Sequence, residues 1–367
     1  MNQLITSQAF CKSLSLALAN TTSFKAATIR IRGMLANMTK YNLHIGVLNN
    51  KYCQFYVYID GKQIYLSKSD PFLYELARKR YLKQLLKVLE LYDAQYMCLE
   101  DKEKLLDQSK KSDGTHLTEK SNARGDKSRW AIKKIVAEQQ KHLQKLLDLI
   151  VLLEKGNLDL ARIVMTPRQY KWYTSPYKQK LLTEEMLMAD GKPILRTVNG
   201  ILMRSKSEQK IGNKCEAFAA PYHYEEQLRL NVIQLVRKLE QSLFSWLNGR
   251  NLFFPKGNTC YWNVPDELKW MNATGSIWRA FDYRSGKITI YNDFRFLFAD
   301  DTFGFWEHEG SMDEFKYRSN ANERCSVMRL SGDVAEDNLI ETSEAQANDD
   351  AALEEILATR ILPRMWF

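Results

Sequence analysis

The chain has 367 residues, 45% apolar and 26% charged, which suits a globular protein of two or three units better than one small core. No apolar run approaches the roughly 20 residues that span a bilayer, and Lys12 interrupts the one apolar stretch near the start. A membrane anchor and a secretory leader are therefore not expected, and the expected compartment is the cytoplasm.

The net charge of +9 is uneven. Residues 331–367 hold nine acids against two arginines, leaving 51 cations and 35 anions on the first 330 residues, a balance of +16. A basic body of this kind favours a polyanionic partner through counterion release. Cys11, Cys53, Cys98, Cys215, Cys260 and Cys325 show no C-x-x-C spacing, so reduced thiols are expected and no zinc site is proposed.

Residues 1–70 read as a small α+β unit. Helix-like patches run from Ser13 to Ala36. Phe55, Val57 and Ile59 then alternate toward an Asp60-Gly61 turn, with Ile64 and Leu66 beyond it, the pattern of a hairpin. Asp70 and Pro71 are a helix start. Leu82, Leu85, Leu86, Leu89, Tyr92 and Tyr96 continue one apolar face. A second amphipathic helix carries Ile132, Ile135, Val136, Leu143, Leu146, Leu147, Ile150 and Leu153 and stops at Gly156. Residues 71–160 are thus expected to form a long helical hairpin, with a polar, mobile loop at about 107–128. Residues 161–200 are a connector whose Tyr170, Trp172, Tyr173 and Tyr177 are read as packed aromatics rather than a base-stacking surface.

The last third carries the chemistry. Ser205-x-x-Glu208 is a capping box, which is the structural role open to Glu208. Tyr222 to Leu230 reads as a strand. An interval at 231–287 holds an amphipathic helix and Trp262, Trp270 and Trp278. The next strand, Ile288 to Phe298, is interrupted by Asp293, and the one after it, Phe303 to His308, ends on Glu307. A carboxylate within an apolar strand needs a cation or a metal. Oxygen ligands from Asp and Glu suit Mg²⁺ or Mn²⁺. A helix over Met312 to Arg329, a strand at Asn338-Leu339-Ile340 and a closing helix over Ala351 to Leu362 complete an α-β-β-β-α-β-α order.

This order resembles a group of uncharacterised bacterial proteins with a PD-(D/E)XK, or restriction-endonuclease-like, nuclease domain. The residues that carry the likeness are Arg204 to Glu208, Tyr222-His223-Tyr224-Glu225, Asn292-Asp293-Phe294, Trp306 to Gly310, and Asn338 to Glu344. Two N-terminal stretches, Ile64 to Lys68 and Leu76 to Tyr81, are similar too. The resemblance implies a fold that is α+β overall, with a C-terminal α/β core of α-β-β-β-α-β order on a mixed central sheet. That nuclease domain would span 201–367, with an insertion at about 231–287.

It further implies that Asp293 and Glu307 bind Mg²⁺ or Mn²⁺ and that Glu208 supports the metal or its water, for hydrolysis of phosphodiesters in nucleic acid, DNA first. The setting by analogy is a mobile element or a defence locus. Two departures stand out. Asn292 replaces the usual Pro, and Glu309 stands where such folds often place Lys. Arg324, Lys316, His308 and Lys206 are the substitutes the sequence offers, and Arg324 is a poor general base because its pKa exceeds about 12. A nuclease-like module without turnover, which binds nucleic acid or assembles with it, is the alternative, and a helical adaptor is a third reading. A homodimer and a protein partner docking on 231–287 are both compatible with the sequence.

Overall fold

The computed structural model describes residues 5–48, 52–111, 119–180, 182–191, 193–231, 281–282, 287–310, 324–325, 327–329, 331 and 334–367, without the side chains of 100–129 and 281–282. The expected helix and Trp-rich loop of 231–287, and Lys316, lie outside the described residues. The protein is mixed α+β and divides into two compact units. The first comprises Met1–Tyr170, Ala217–Ala220 and Leu357–Phe367, and the second Lys171–Glu216 and Pro221–Ile356.

In the first unit, α1 (Ser7–Asn20) starts at Thr6, whose hydroxyl accepts the Ala9 amide at 3.3 Å, and α2 (Lys25–Ala36) follows. Then come β1 (His44–Leu48), β2 (Tyr52–Ile59) and β3 (Lys62–Leu66), an antiparallel sheet. Asp60 (φ 51°) and Gly61 (φ 79°) make the β2–β3 turn. Positive φ at both positions gives a two-residue turn the hand of the strand twist. Phe55 and Val57 are buried on one sheet face.

Helix α3 (Pro71–Lys111) starts where Asp70 accepts the Phe72 amide at 2.8 Å, with Pro71 where no donor is needed. Helix α4 (Glu119–Lys155) returns antiparallel to it. Gln84 donates to the His142 carbonyl at 3.1 Å, and Gln139 to that of Leu91 at 3.0 Å. The expected hairpin is present, but helix extends further into 107–128 than a loop reading allows, to Lys111 and from Glu119. Gly114 and Gly125 prompted the loop reading, yet Gly125 lies within α4, where a single glycine costs only about 1 kcal/mol. Helix α5 (Leu160–Val164) is capped by Asp159. α6 (Pro167–Thr174) comes next in the chain.

The second unit contains α7 (Glu184–Ala189), the short pair β4 (Leu195–Arg196) and β5 (Leu202–Met203), and α8 (Lys206–Ala217). Strands β6 (His223–Tyr224), β7 (Gln227–Asn231), β8 (Phe281–Asp282), β9 (Lys287–Tyr291), β10 (Phe294–Leu297), β11 (Phe303–Glu309) and β12 (Leu339–Ser343) form two sheets, ordered β12-β11-β10-β6 and β7-β9-β8. The first is mixed: β11 and β12 run parallel, and the other neighbours antiparallel. Residues 324–325 and 327–329 are helical. Cys325, Val327 and Met328 pack with Leu228, Ile288, Ile290, Phe305 and Leu339 in one core.

The chain closes with α9 (Glu344–Asn348), carrying the Ser343–Gln346 capping box, then α10 (Asp350–Ile356) and α11 (Leu362–Trp366). Helix α11 belongs to the first unit, where the Trp366 indole donates to Ser13 Oγ at 2.7 Å and its ring meets Phe10 edge-on.

Candidate functional site

Two strands expected to be continuous are each broken, and the breaks coincide. The 223–231 segment leaves its ladder at Glu225-Glu226, and the 287–297 segment at Asn292-Asp293. Across the break the Glu225 amide donates to the Asp293 carbonyl at 3.0 Å, and the Asn292 amide to that of Glu226 at 3.4 Å. Each segment thereby passes from one sheet to the other. Glu225 sits at φ 49°, left-handed backbone that a side chain with Cβ adopts only at a cost. The fully buried Asn292 makes no side-chain hydrogen bond among the described residues. Strain and an unmet amide at one corner mark a place not optimised for stability alone.

Asp293 and Glu307 meet there. The β10–β11 register pairs Phe294 with Trp306, which sets Asp293 beside Glu307. Glu307 Oε1 accepts the Asp293 amide at 3.2 Å, and Asp293 Oδ2 accepts the His308 amide at 2.7 Å. Arg324 spans the two carboxylates, with Nη2 2.7 Å from Glu307 Oε2 and 3.7 Å from Asp293 Oδ2. Glu307 has no exposure to solvent. Burial holds its carboxyl pKa well above the usual range, Arg324 opposes that rise, and the Asp293 charge adds to it.

Glu208 is a cap, and more. Ser205 Oγ accepts the Glu208 amide at 3.1 Å, while Glu208 Oε2 accepts the amides of Ser205 (3.2 Å) and Arg204 (3.1 Å) and the Tyr224 hydroxyl (2.6 Å). Its other oxygen accepts no hydrogen bond among the described residues. Burial first, and the Asp293 charge second, push its pKa up to about 7. Capping alone needs no such acid.

His308 and Glu307 are neighbours on β11, so their side chains leave opposite faces of the sheet. The His308 Nε2 meets Glu344 Oε2 at 3.0 Å, and Ser207 donates to the same carboxylate at 2.6 Å. His308 is therefore set apart from the Asp293–Glu307 pair, and the substitute role considered for it falls to other residues. Lys206 is exposed at the start of α8.

Three further groups belong to this corner. Glu225 is buried and ion-paired with Arg204. Burial raises its pKa, against the pull of Arg204. Lys180 lies on a segment that joins the corner as a short extra strand. Its amide donates to the Glu225 carbonyl at 3.0 Å, and the Gln227 amide donates to the Lys178 carbonyl at 2.7 Å. Burial and the nearby Arg204 and Arg324 lower the Lys180 pKa, while Glu225 and Asp293 draw it back up. The Tyr224-Glu225-Glu226 acids between two strands were a usable sequence signal for Glu225. Nothing in the polar connector singled out Lys180.

The donors at this corner are carboxylate oxygens, which suit a hard divalent ion, and the mutual repulsion that raises the Glu208 and Glu307 pKa values is what a cation relieves. Glu208, Asp293 and Glu307 do not, however, close into a ready three-ligand set. Among the described residues only Glu309, Cys325 and Glu341 bring donor atoms within 4.8 Å of one another. That trio suits a metal poorly. Burial raises the Cys325 thiol far above its ordinary value, and Glu341 is paired with Arg329.

The aromatics of 172–177 pack as a support. The His223 ring is stacked between Trp172 (3.6 Å) and Tyr177 (3.9 Å), and His223 Nδ1 lies 2.9 Å from Glu226 Oε2, which also pairs with Arg295. No family model, no curated protein and no solved structure matches the chain. Among the described residues no helix is long and apolar enough to cross a membrane.

Proposed function

We propose that the second unit is a nuclease of the PD-(D/E)XK class that hydrolyses phosphodiester bonds with Mg²⁺ or Mn²⁺, DNA being the first substrate to try. The observation that carries this reading is the convergence of Asp293 and Glu307 from adjacent strands at a broken, strained corner, with Glu208 and Lys180 in electrostatic reach. Asp293 and Glu307 would hold the ion, and Glu208 would bind through one of its waters. Such an ion keeps several waters and needs only one or two carboxylates directly. When bound, it supplies Lewis acidity and a more acidic water.

The chain's own groups do the rest. Lys180 supplies the positive charge for the phosphoryl oxygens that Glu309 cannot supply. Glu208, titrating near 7, exchanges a proton with a corner water at neutral pH. Arg324 holds the two acids in place and leaves Asp293 first, since that contact is the longer by 1.0 Å.

Arg324 also favours the second reading. A guanidinium between two acids can stand in permanently for a metal, leaving a module that binds nucleic acid without cutting it. Incubation with supercoiled plasmid and with single-stranded DNA, in Mg²⁺, Mn²⁺ or EDTA, separates the two. Metal-dependent nicking that vanishes in Asp293→Asn supports the nuclease. Salt-sensitive gel shifts with no product at any metal concentration sink it in favour of the binding module.

A further inference from the structure

The small sheet of the first unit has two unlike faces. Phe55 and Val57 point inward and are buried. The residues that alternate with them point outward, and they are mostly rings. Cross-strand pairing puts His44, Tyr56 and Tyr65 in one row, and Tyr58 in the next beside Gln63. The rings touch as a continuous surface. His44 stacks on Tyr56 with centroids 5.4 Å apart, and Tyr58 and Tyr65 lie 5.8 and 5.9 Å from Tyr56. Yet Tyr65 is 62% exposed, Tyr58 46% and Tyr52 66%. Rings of this size ordinarily seek burial, so an outward cluster implies something that lies on it.

The surrounding charge says what. Between residues 40 and 70 the sequence has Lys40, Lys51, Lys62 and Lys68 against Asp60 and Asp70, and Asp70 is engaged as the α3 cap. Leu43, the residue before β1, helps line a groove of about 600 Å³ whose charged walls are Lys79, Arg80, Lys83 and Lys87 with the single acid Glu90. Lys79 and Arg80 are anchored on the carbonyls of Tyr41 (2.7 Å) and Leu43 (3.0 Å). Lys83 and Lys87 are exposed. Flat rings among cations fit bases beside phosphates. An apolar protein partner needs no such cations, and a duplex hides its base faces.

We propose that the β1–β3 face is a stacking platform for single-stranded nucleic acid, with unpaired bases on Tyr56, Tyr58 and Tyr65 and phosphates along the neighbouring lysines. DNA and RNA share the chemistry, because every base has a π-face. The platform stands apart from the nuclease reading and holds whichever way that reading falls.

The test uses the full chain in EDTA, so that no metal-dependent cleavage can contribute. Fluorescence anisotropy is read with labelled 20-residue oligo(dT), oligo(rU) and a duplex of the same length. Both single strands, or one of them, should bind more tightly than the duplex, and which one binds names the sugar preferred. The double variant Tyr58→Ala/Tyr65→Ala should weaken that binding at least about tenfold, with an unchanged thermal midpoint because both side chains are exposed. Tyr58→Phe/Tyr65→Phe keeps the rings and should keep the affinity. Equal binding by the alanine and wild-type proteins overturns the platform, as does preference for the duplex. Sedimentation that shifts from dimer to monomer in the alanine variant, with oligonucleotide binding untouched, also overturns it and assigns the face to a second copy of the chain.

Discussion

Both units bury charge, and they do so in opposite ways. In the first, Arg78 and Lys79 are buried cations, and each is satisfied by main-chain carbonyls: Arg78 by that of Met165, Lys79 by that of Tyr41. Backbone carbonyls do not titrate, so these cations are fixed parts of the packing. In the second, the buried groups Asp293, Glu307, Glu225 and Glu226 share cations with one another or face them across a few ångströms, and several are pushed from their ordinary pKa values. A charge tied to backbone holds a fold together. Charges tied mainly to each other form a set that a ligand or a proton can rearrange.

The largest expected effect is on stability. Glu307→Ala leaves Arg324 with a buried, weakened partner set and should cost about 3–5 kcal/mol, read as a lower urea midpoint; a loss below 1 kcal/mol would break the contrast between the units. Next comes Asp293→Asn, which keeps shape and loses charge. It should reduce metal-dependent cleavage by about 10²- to 10³-fold with little change in thermal midpoint. Lys180→Met should reduce turnover too, and Lys180→Arg should restore part of it, while plasmid binding in EDTA changes far less. In the first unit Arg78→Met strands the Met165 carbonyl, should cost about 1–3 kcal/mol, and should leave cleavage per folded molecule as it was.

The smallest effect is a slope. Folded Glu208 titrates near 7 rather than near 4.5, so the folded state binds more protons than the unfolded chain between those values. Stability therefore falls as pH rises through that window. Glu208→Gln should flatten that part of a denaturation series run from pH 4.5 to 7.5, and an unchanged slope would place the titration elsewhere.

Much of this was legible in the sequence where local chemistry decides it. Asp60-Gly61, Asp70-Pro71 and Ser205-x-x-Glu208 each name their own hydrogen bonds, and each forms as expected. The alternation at Ile288 to Phe298 gave strand but hid the break at Asn292-Asp293, because a strand that changes sheets keeps the same side-chain period on both sides. Lys180 was invisible for a different reason: its role comes from a tertiary pairing with Glu225, and a lone lysine in a polar stretch has no pattern. His308, conspicuous beside Glu307, was misleading for the simplest reason, since adjacent strand residues face apart.

One feature of the first unit bears on how the chain is made. Its core takes in Trp366 and Phe367, whose rings meet Phe10 and Phe24 edge-on. At about 5–20 residues per second, a ribosome that has finished Tyr170 needs roughly 10–40 seconds more to reach Leu357. Through that interval Phe10 and Phe24 lack their final neighbours while the second unit is being threaded out. Synthesis thus presents an N-terminal unit that is long complete in sequence order but still open in space, and its last seal is among the last residues to leave the tunnel.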